Sequence, residues 1–281
     1  MTYAVTGATG QLGRLVVQKL KSKVPPAEIV GLVRSPAKGA DLGVTLREAD
    51  YSKPETLAAA LKGVSKLLLI SSSEIGQRAA QHKAVIGAAK TAGVSHIVYT
   101  SLLHADTSPL NLAPEHVETE AEIKASSLPY TFLRNGWYHE NTTASAKAAV
   151  AAGALIGAAG DGRISGAARA DYADAAVAAL VGEGHAGKTY ELAGDTAYSR
   201  SDVAAELSRQ SGKTIPYKNL PQADYAHALA SFGLPQALAE ALASWDVLIA
   251  NDILIENNKA LSKLIGRPTT PLAAAVEAAL R

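Results

Sequence analysis

A chain of 281 residues, 48% hydrophobic and 19% charged, carries enough apolar side chain for a sizeable core, and its length suits one large α/β domain with a smaller appendage. Its 27 lysines and arginines against 26 aspartates and glutamates leave a net charge of +1, which offers no global field for nucleic acid or an anionic membrane and points to small-molecule partners. The lack of cysteine excludes disulfides, thiolate metal sites and a cysteine nucleophile, so redox chemistry would need a bound cofactor.

The chain enters a short, apolar, β-prone segment at residues 3–6 without a basic leader and apolar h-region. Its longest uncharged alanine-rich stretch, 148–160, is shorter than the roughly 20 residues of a membrane span, so a cytoplasmic protein is expected. Next come Gly7, Ala8, Thr9, Gly10, Gln11, Leu12 and Gly13, and then Leu15, Val16 and Leu20 continue from Leu12 at helical spacing. The glycines therefore fall between a strand and a helix. Glycine tolerates positive φ and has no Cβ, so such a turn closes tightly, lets backbone N–H groups approach phosphate oxygens and adds the partial positive charge of the helix N-terminus. A glycine triplet alone is a weak signal; the strand before it, the helix after it and the units that follow favour a nucleotide site.

Apolar runs at 29–33, 44–48, 66–70, 97–100 and 130–133 alternate with helical stretches at 54–61, 77–92 and 114–125. That alternation predicts an α/β fold with a doubly wound parallel sheet and right-handed crossovers. Ligands of such sheets lie beyond the carboxyl ends of the strands. The candidates are thus Gly7 to Gly13, Arg34, Asp50, Tyr51, Ser71, Ser72, Ser73, Thr100, Ser101, Asn135 and Gly136. Beyond Arg134 we expect a helix at 143–152, a Gly-rich turn at 157–166, a helix at 171–181 and a strand at 189–192, the last two returning to the sheet. From about Pro216, helical spacing broken by prolines predicts a small, mostly helical C-terminal cap. The expected division is a discontinuous cofactor domain, 1–150 with 165–205, and a substrate or cap region, 151–164 with 206–281.

Where NAD sites usually carry an acidic residue, at the end of the second strand, this chain has Arg34, followed by Ser35 and Lys38. A guanidinium there can stack on adenine and bond a 2′-phosphate, so NADPH is the expected cofactor, against the alternative of a merely solvated charge. None of the ten tyrosines has a lysine four positions later, which argues against base-assisted alcohol oxidation. His116 and Glu120, one helical turn apart, are either a proton donor with its orienting carboxylate or a helix-surface pair. No histidine pair has zinc-ligand spacing and no G-x-S-x-G elbow occurs, so no metal is expected.

Val5-Thr-Gly-Ala-Thr-Gly-Gln-Leu-Gly13, Ile70-Ser-Ser-Ser73, Tyr99-Thr-Ser-Leu-Leu-His-Ala-Asp106 and Leu133-Arg-Asn-Gly-Trp-Tyr138 resemble the NmrA-like atypical short-chain dehydrogenases, most of all their bacterial quinone-reducing branch. Segments 157–162, 170–173, 190–195 and 261–266 extend the likeness over nearly the whole chain. The resemblance implies an NAD(P)-binding Rossmann fold with NADPH contacts from Thr6, Gly7, Ala8, Thr9, Gly10, Gln11, Arg34, Ser71, Ser72 and Ser73. It adds the loop of Tyr138, His139, Glu140, Asn141, Thr142 and Thr143, and Arg169, which can equally pair with Asp171 or Asp174. It further implies direct two-electron hydride transfer to a quinone in an apolar slot of Trp137, Tyr138 and cap residues, with Asn135 or Tyr138 bonding the quinone oxygen. For Trp137 and Tyr138 the competing reading is interface packing. Rival functions are an NADP-binding redox sensor without turnover and a reductase of another activated acceptor such as a triphenylmethane dye. A homo-oligomer is compatible with the sequence.

Overall fold

The computed structural model describes residues 1–281. In chain order the elements are β1 (Tyr3–Thr6), α1 (Gln11–Leu20), β2 (Ile29–Val33), β3 (Thr45–Glu48), α2 (Pro54–Ala60), β4 (Lys66–Leu69), α3 (Arg78–Thr91), β5 (His96–Leu102), α4 (Ala113–Ala125), β6 (Tyr130–Asn135), α5 (His139–Thr143), α6 (Ala146–Ala152), β7 (Leu155–Gly157), β8 (Arg163–Ile164) and α7 (Arg169–Val181). They continue with β9 (Lys188–Leu192), β10 (Tyr198–Ser199), α8 (Arg200–Ser211), β11 (Tyr217–Asn219), α9 (Gln222–Ser231), α10 (Gln236–Ile249), α11 (Ala260–Ile265) and α12 (Leu272–Leu280). Short 3-10 turns at Pro26–Glu28 and Pro36–Leu42 flank β2.

Seven strands form one parallel sheet in the order β3-β2-β1-β4-β5-β6-β9. Strands buried on both faces need apolar side chains on both, which explains the continuous runs in the sequence. Val5, Leu68, Val98 and Leu133 pack with Val16, Leu20, Tyr172 and Leu180 of α1 and α7. Their neighbours Ala4, Leu67, Leu69, Ile97, Tyr99 and Phe132 face the opposite way, onto Leu57, Val85, Ile86 and Ile123 of α2, α3 and α4. The chain leaves β1 for β2 and β3 on one side and returns to β4 on the other, so the switch point lies between β1 and β4.

A third core joins Leu155, Ile164, Ile215, Trp245, Ile249 and Val276 to Leu102, Tyr198, Val203 and Leu207, building the C-terminal cap onto the sheet's carboxyl end. The cap is mostly helical, as expected, but β11 pairs in parallel with β7, and β10 with β8 in antiparallel fashion. Two- and three-residue strands carry too little alternation to be read from a sequence. The helix expected at 143–152 is two helices, broken at Ala144 and Ser145. β5 runs to Leu102 and β6 to Asn135, so Thr100 and Ser101 lie within a strand and Asn135 ends one, rather than following them. No helix is long and apolar enough to cross a membrane.

Candidate active site

The turn after β1 has the geometry its glycines allow. Gly7 adopts φ +57°, a left-handed conformation that side chains disfavour, and the Gly10 N–H closes the turn on the Gly7 carbonyl at 2.8 Å. A Cβ on Gly10 would lie 3.1 Å from the Gly7 oxygen, and one on Gly13 only 2.2 Å from the same oxygen and 2.8 Å from Ala8 Cα. The helix thus rests directly on the strand end. Gly10 is its N-cap and contributes no side chain to its first turn, leaving those N–H groups for a ligand. Ala8, fully buried, is tied to β2 by its N–H on the Leu32 carbonyl at 3.3 Å.

The strands beyond the switch point are pinned by side chains. Thr6 Oγ1 donates to the Leu68 carbonyl at 3.2 Å and accepts from the Ile70 N–H at 2.8 Å, while the Ser71 N–H donates to Thr100 Oγ1 at 2.9 Å. The Ser72 N–H donates to His82 Nε2 at 2.9 Å, and Arg78 Nε to the Ser72 carbonyl at 2.8 Å. These bonds fix the backbone of Ser71 and Ser72 opposite the glycine turn, across the cavity that both line. This cavity has a volume of about 800 Å³, within the ordinary range for a small-molecule site. It is lined by Gly7, Thr9, Gly10, Gln11 and Gly13, by Arg34 and by all three serines. It reaches Trp137, Tyr138, Asn141 and Arg169, four strand spacings from β2, or roughly 19 Å.

Arg34 projects from the end of β2 with its side chain 73% exposed, and its one ion-pair partner is Glu74 at 3.3 Å. At the far end, Asn135 Nδ2 donates to Tyr138 Oη at 3.4 Å, and the Arg169 guanidinium lies 4.9 Å from the Tyr138 ring centre. Burial raises the Tyr138 pKa, so the phenol stays protonated. Arg169 Nη2 donates to Asn141 Oδ1 at 3.4 Å and does not pair with either nearby aspartate: Asp171 is held by Arg267 and Asp174 by Arg267 and Lys19. The rest of the loop turns away from the cavity. His139 is buried against Tyr198 and the Thr270 carbonyl, and Glu140 accepts from the Arg169 N–H at 3.0 Å with both oxygens. Thr142 and Thr143 are buried under the cap, and Thr143 Oγ1 donates to the His139 carbonyl.

Thr6, Ala8, His139, Glu140, Thr142 and Thr143 therefore frame the cavity from behind, and Asn135 supports Tyr138. The cavity also takes in residues with no sequence signal of their own: Ile75, Leu112 and, from the cap, Trp245, whose ring meets Trp137 edge-on at 6.1 Å. Trp245 Nε1 donates to Asn111 Oδ1 at 2.8 Å, whereas Trp137 Nε1 and Asn135 Oδ1 have no protein partner. Asp50 turns back on its own loop, accepting from the Ser52 N–H.

Both readings of His116 and Glu120 fail, because α4 turns these two residues into the protein. His116 binds Tyr99 Oη at 2.7 Å and Arg78 Nη1 at 3.3 Å; Glu120 is clamped by Arg134 and Ser101, and no bond joins the two. Burial, and then the Arg78 charge, push the pKa of His82 and of His116 down to about 3. The contacts agree: an amide N–H and a guanidinium can only donate, so one nitrogen of each ring must remain an acceptor. Unfolded histidine titrates near 6.5, so between pH 6.5 and 3 the unfolded chain binds more protons, and stability is complete above 6.5 and falls with pH below it. Each ring can remove up to about 1.4 kcal/mol per pH unit. Urea unfolding at pH 7.5 and 5.5 should show the loss, with a smaller loss in His82→Gln; equal stability at both values would contradict neutral buried rings. No group of three or more histidines and carboxylates is arranged to hold a metal.

A family model described as NAD(P)H-binding matches residues 7–183. Quinone oxidoreductase 2 of Escherichia coli strain K12 is 58% identical over 276 residues, 97% of this chain and 96% of that protein. The crystal structure of an NADPH-dependent quinone oxidoreductase from the same species, complexed with NADPH, has a TM-score of 0.96 at 56% identity and covers all of both chains. The Citrobacter sp. triphenylmethane reductase complexed with NADP(H) has a TM-score of 0.96 at 38% identity, covering 99% of this chain and 100% of that one. The glycine cradle, the exposed Arg34 guanidinium and the serine loop fit such a coenzyme, and the chain belongs to the NAD(P)H-binding family, among the NmrA-like atypical short-chain dehydrogenases.

Proposed function

We infer that this chain is an NADPH-dependent quinone reductase. The observation that carries the inference is the make-up of the cavity's far end: Leu112, Trp137 and Trp245 supply apolar wall, and the histidine and carboxylate of α4 are sealed off from it. A site without a strong acid or base suits an acceptor whose reduction leaves a resonance-stabilised oxyanion that water or a weak donor can protonate. When bound, NADPH supplies the hydride for that reduction. The chain's own part is positioning: the turn from Gly7 to Gly13 holds the pyrophosphate, Arg34 the 2′-phosphate, and Ser71, Ser72, Ser73, Asn141 and Arg169 line the path between. Residues 1–150 and 165–205 form the cofactor part in this reading, with 151–164 and 206–281 covering the substrate and β10 and the start of α8 joining the two by packing into the third core.

The quinone lies between the tryptophan wall and the Tyr138 edge. The phenol, kept protonated by burial, donates to the quinone oxygen, and Asn135 orients it. Following NADPH absorbance with benzoquinone, menadione and a triphenylmethane dye tests the whole reading. Turnover with the quinones supports it. A bound coenzyme with no oxidation by any acceptor would favour a redox sensor, and turnover with the dye alone would move the chain to the dye reductases. Tyr138→Phe removes one hydrogen bond from the reacting oxygen and should lower kcat about 3- to 10-fold, with NADPH affinity unchanged. An unaltered rate would leave Tyr138 a packing residue.

A further inference from the structure

Glu74 directly follows the serine loop and is held on three sides. Its N–H donates to Ser72 Oγ at 3.2 Å, its Oε2 accepts from Gln81 Nε2 at 2.8 Å, and its Oε1 lies 3.3 Å from Arg34 Nη1. The carboxylate and the guanidinium thus meet across the mouth of the cavity, one from beyond β4 and one from the end of β2, with β1 between them. The pair itself is exposed, 73% for the arginine side chain and 46% for the glutamate, so solvent screens it and a ligand can open it. Gln81 is 6% exposed, and this buried anchor keeps Glu74 aimed at the mouth once the pair has opened.

We propose that Glu74 sets the coenzyme preference of the cavity by opposing Arg34. Sites that take an unphosphorylated ribose carry their carboxylate at the end of the second strand. Here Arg34 holds that place and the carboxylate arrives from the next loop, so both signs meet where a ribose 2′ position would be read. A 2′-phosphate must displace Glu74 from Arg34 and then remain beside a negative charge, whereas a 2′-hydroxyl can donate to Glu74 and disturb nothing. The chain therefore binds NADPH less tightly, relative to NADH, than Arg34 alone would allow. The proposal rests on the cavity being an NADPH site and deepens that reading.

Calorimetric titration of the whole chain with NADPH, NADH, 2′,5′-ADP and 5′-AMP tests it without turnover. Glu74→Gln keeps an acceptor for Gln81 and removes only the charge. It should tighten NADPH and 2′,5′-ADP about fivefold or more and leave NADH and 5′-AMP unchanged or weaker, and the gain should shrink at high salt. Glu74→Ala should move the ratio in the same direction. A ratio of 2′,5′-ADP to 5′-AMP affinity within twofold of the parent in both variants, or weaker NADPH binding, would overturn the role of Glu74 while leaving the NADPH site intact. A parent chain that binds none of the four would overturn the site itself and the proposal with it.

Discussion

Replacing Gly13 by alanine is expected to lower stability by about 2 kcal/mol or more and NADPH affinity by about 100-fold, the largest effect of any single methyl group in the glycine turn. The added Cβ would stand 2.2 Å from the Gly7 oxygen and 2.8 Å from both Gly7 C and Ala8 Cα. All three are backbone atoms of the strand end, and Ala8 is fully buried, so no side chain can swing aside to make room. The first turn of α1 would have to lift off β1 and carry with it the N–H groups aimed at the coenzyme.

The neighbouring glycines provide the comparison. Gly7 at φ +57° has open space around its Cβ position, so Gly7→Ala meets backbone strain of about 1 kcal/mol and no collision. Gly10→Ala meets the Gly7 oxygen at 3.1 Å, which a shift of a few tenths of an ångström relieves. The expected order of loss in both thermal midpoint and NADPH affinity is therefore Gly13 first, with Gly7 and Gly10 well behind. Finding Gly13→Ala no worse than Gly7→Ala would mean that the helix is free to move and that the cradle is not set by this contact.

The difference between these glycines is not visible in the sequence, where all three are one spacing pattern. What was legible is the part of the fold that repeats: two-sided burial makes each parallel strand an apolar run, and helices of ordinary length separate them, so the sheet and the strand-end candidates followed from pattern alone. Arg34 was legible for the same reason, since it occupies a position that topology defines. Which strand-end residues face the cavity was not legible, because Tyr138, His139 and Glu140 are consecutive yet line it, pack beneath it and cap α7 respectively. Trp245 was hidden by distance along the chain: its place opposite Trp137 depends on how the cap folds over the sheet, and its helix bears no local mark of that. His116 and Glu120 misled because one-turn spacing on a helix is equally the mark of a surface pair and of two buried groups with partners on neighbouring elements.

Arg134→Met should be among the most destabilising substitutions in the chain, at about 3–5 kcal/mol, because of what it leaves behind. Arg134 gives Nε and Nη2 to the two oxygens of Glu120 at 2.9 and 2.8 Å and Nη1 to Glu191 at 2.8 Å and Asp106 at 3.0 Å. Glu120 is 4% exposed, and its other partner is the Ser101 hydroxyl at 2.7 Å. Without the guanidinium a carboxylate remains in the core, and Glu191, just across in β9, loses its counterion as well. The opposite deletion is milder. In Glu120→Gln the arginine keeps Glu191 and Asp106, so the expected loss is about 1–3 kcal/mol, the cost of weakening one set of buried hydrogen bonds. The double variant Arg134→Met with Glu120→Leu removes both charges and should recover part of the single loss, since paired burial of two charges is rarely better than an apolar replacement of similar volume. Urea unfolding of the three variants tests the ordering, and a Glu120→Gln loss equal to or above that of Arg134→Met would refute it. Arg134 also immediately precedes Asn135 in β6, so the same variant should raise the KM for quinone more than the Kd for NADPH: the cluster fixes the strand end that carries Trp137 and Tyr138, while the glycine cradle, three strands away, keeps its own support.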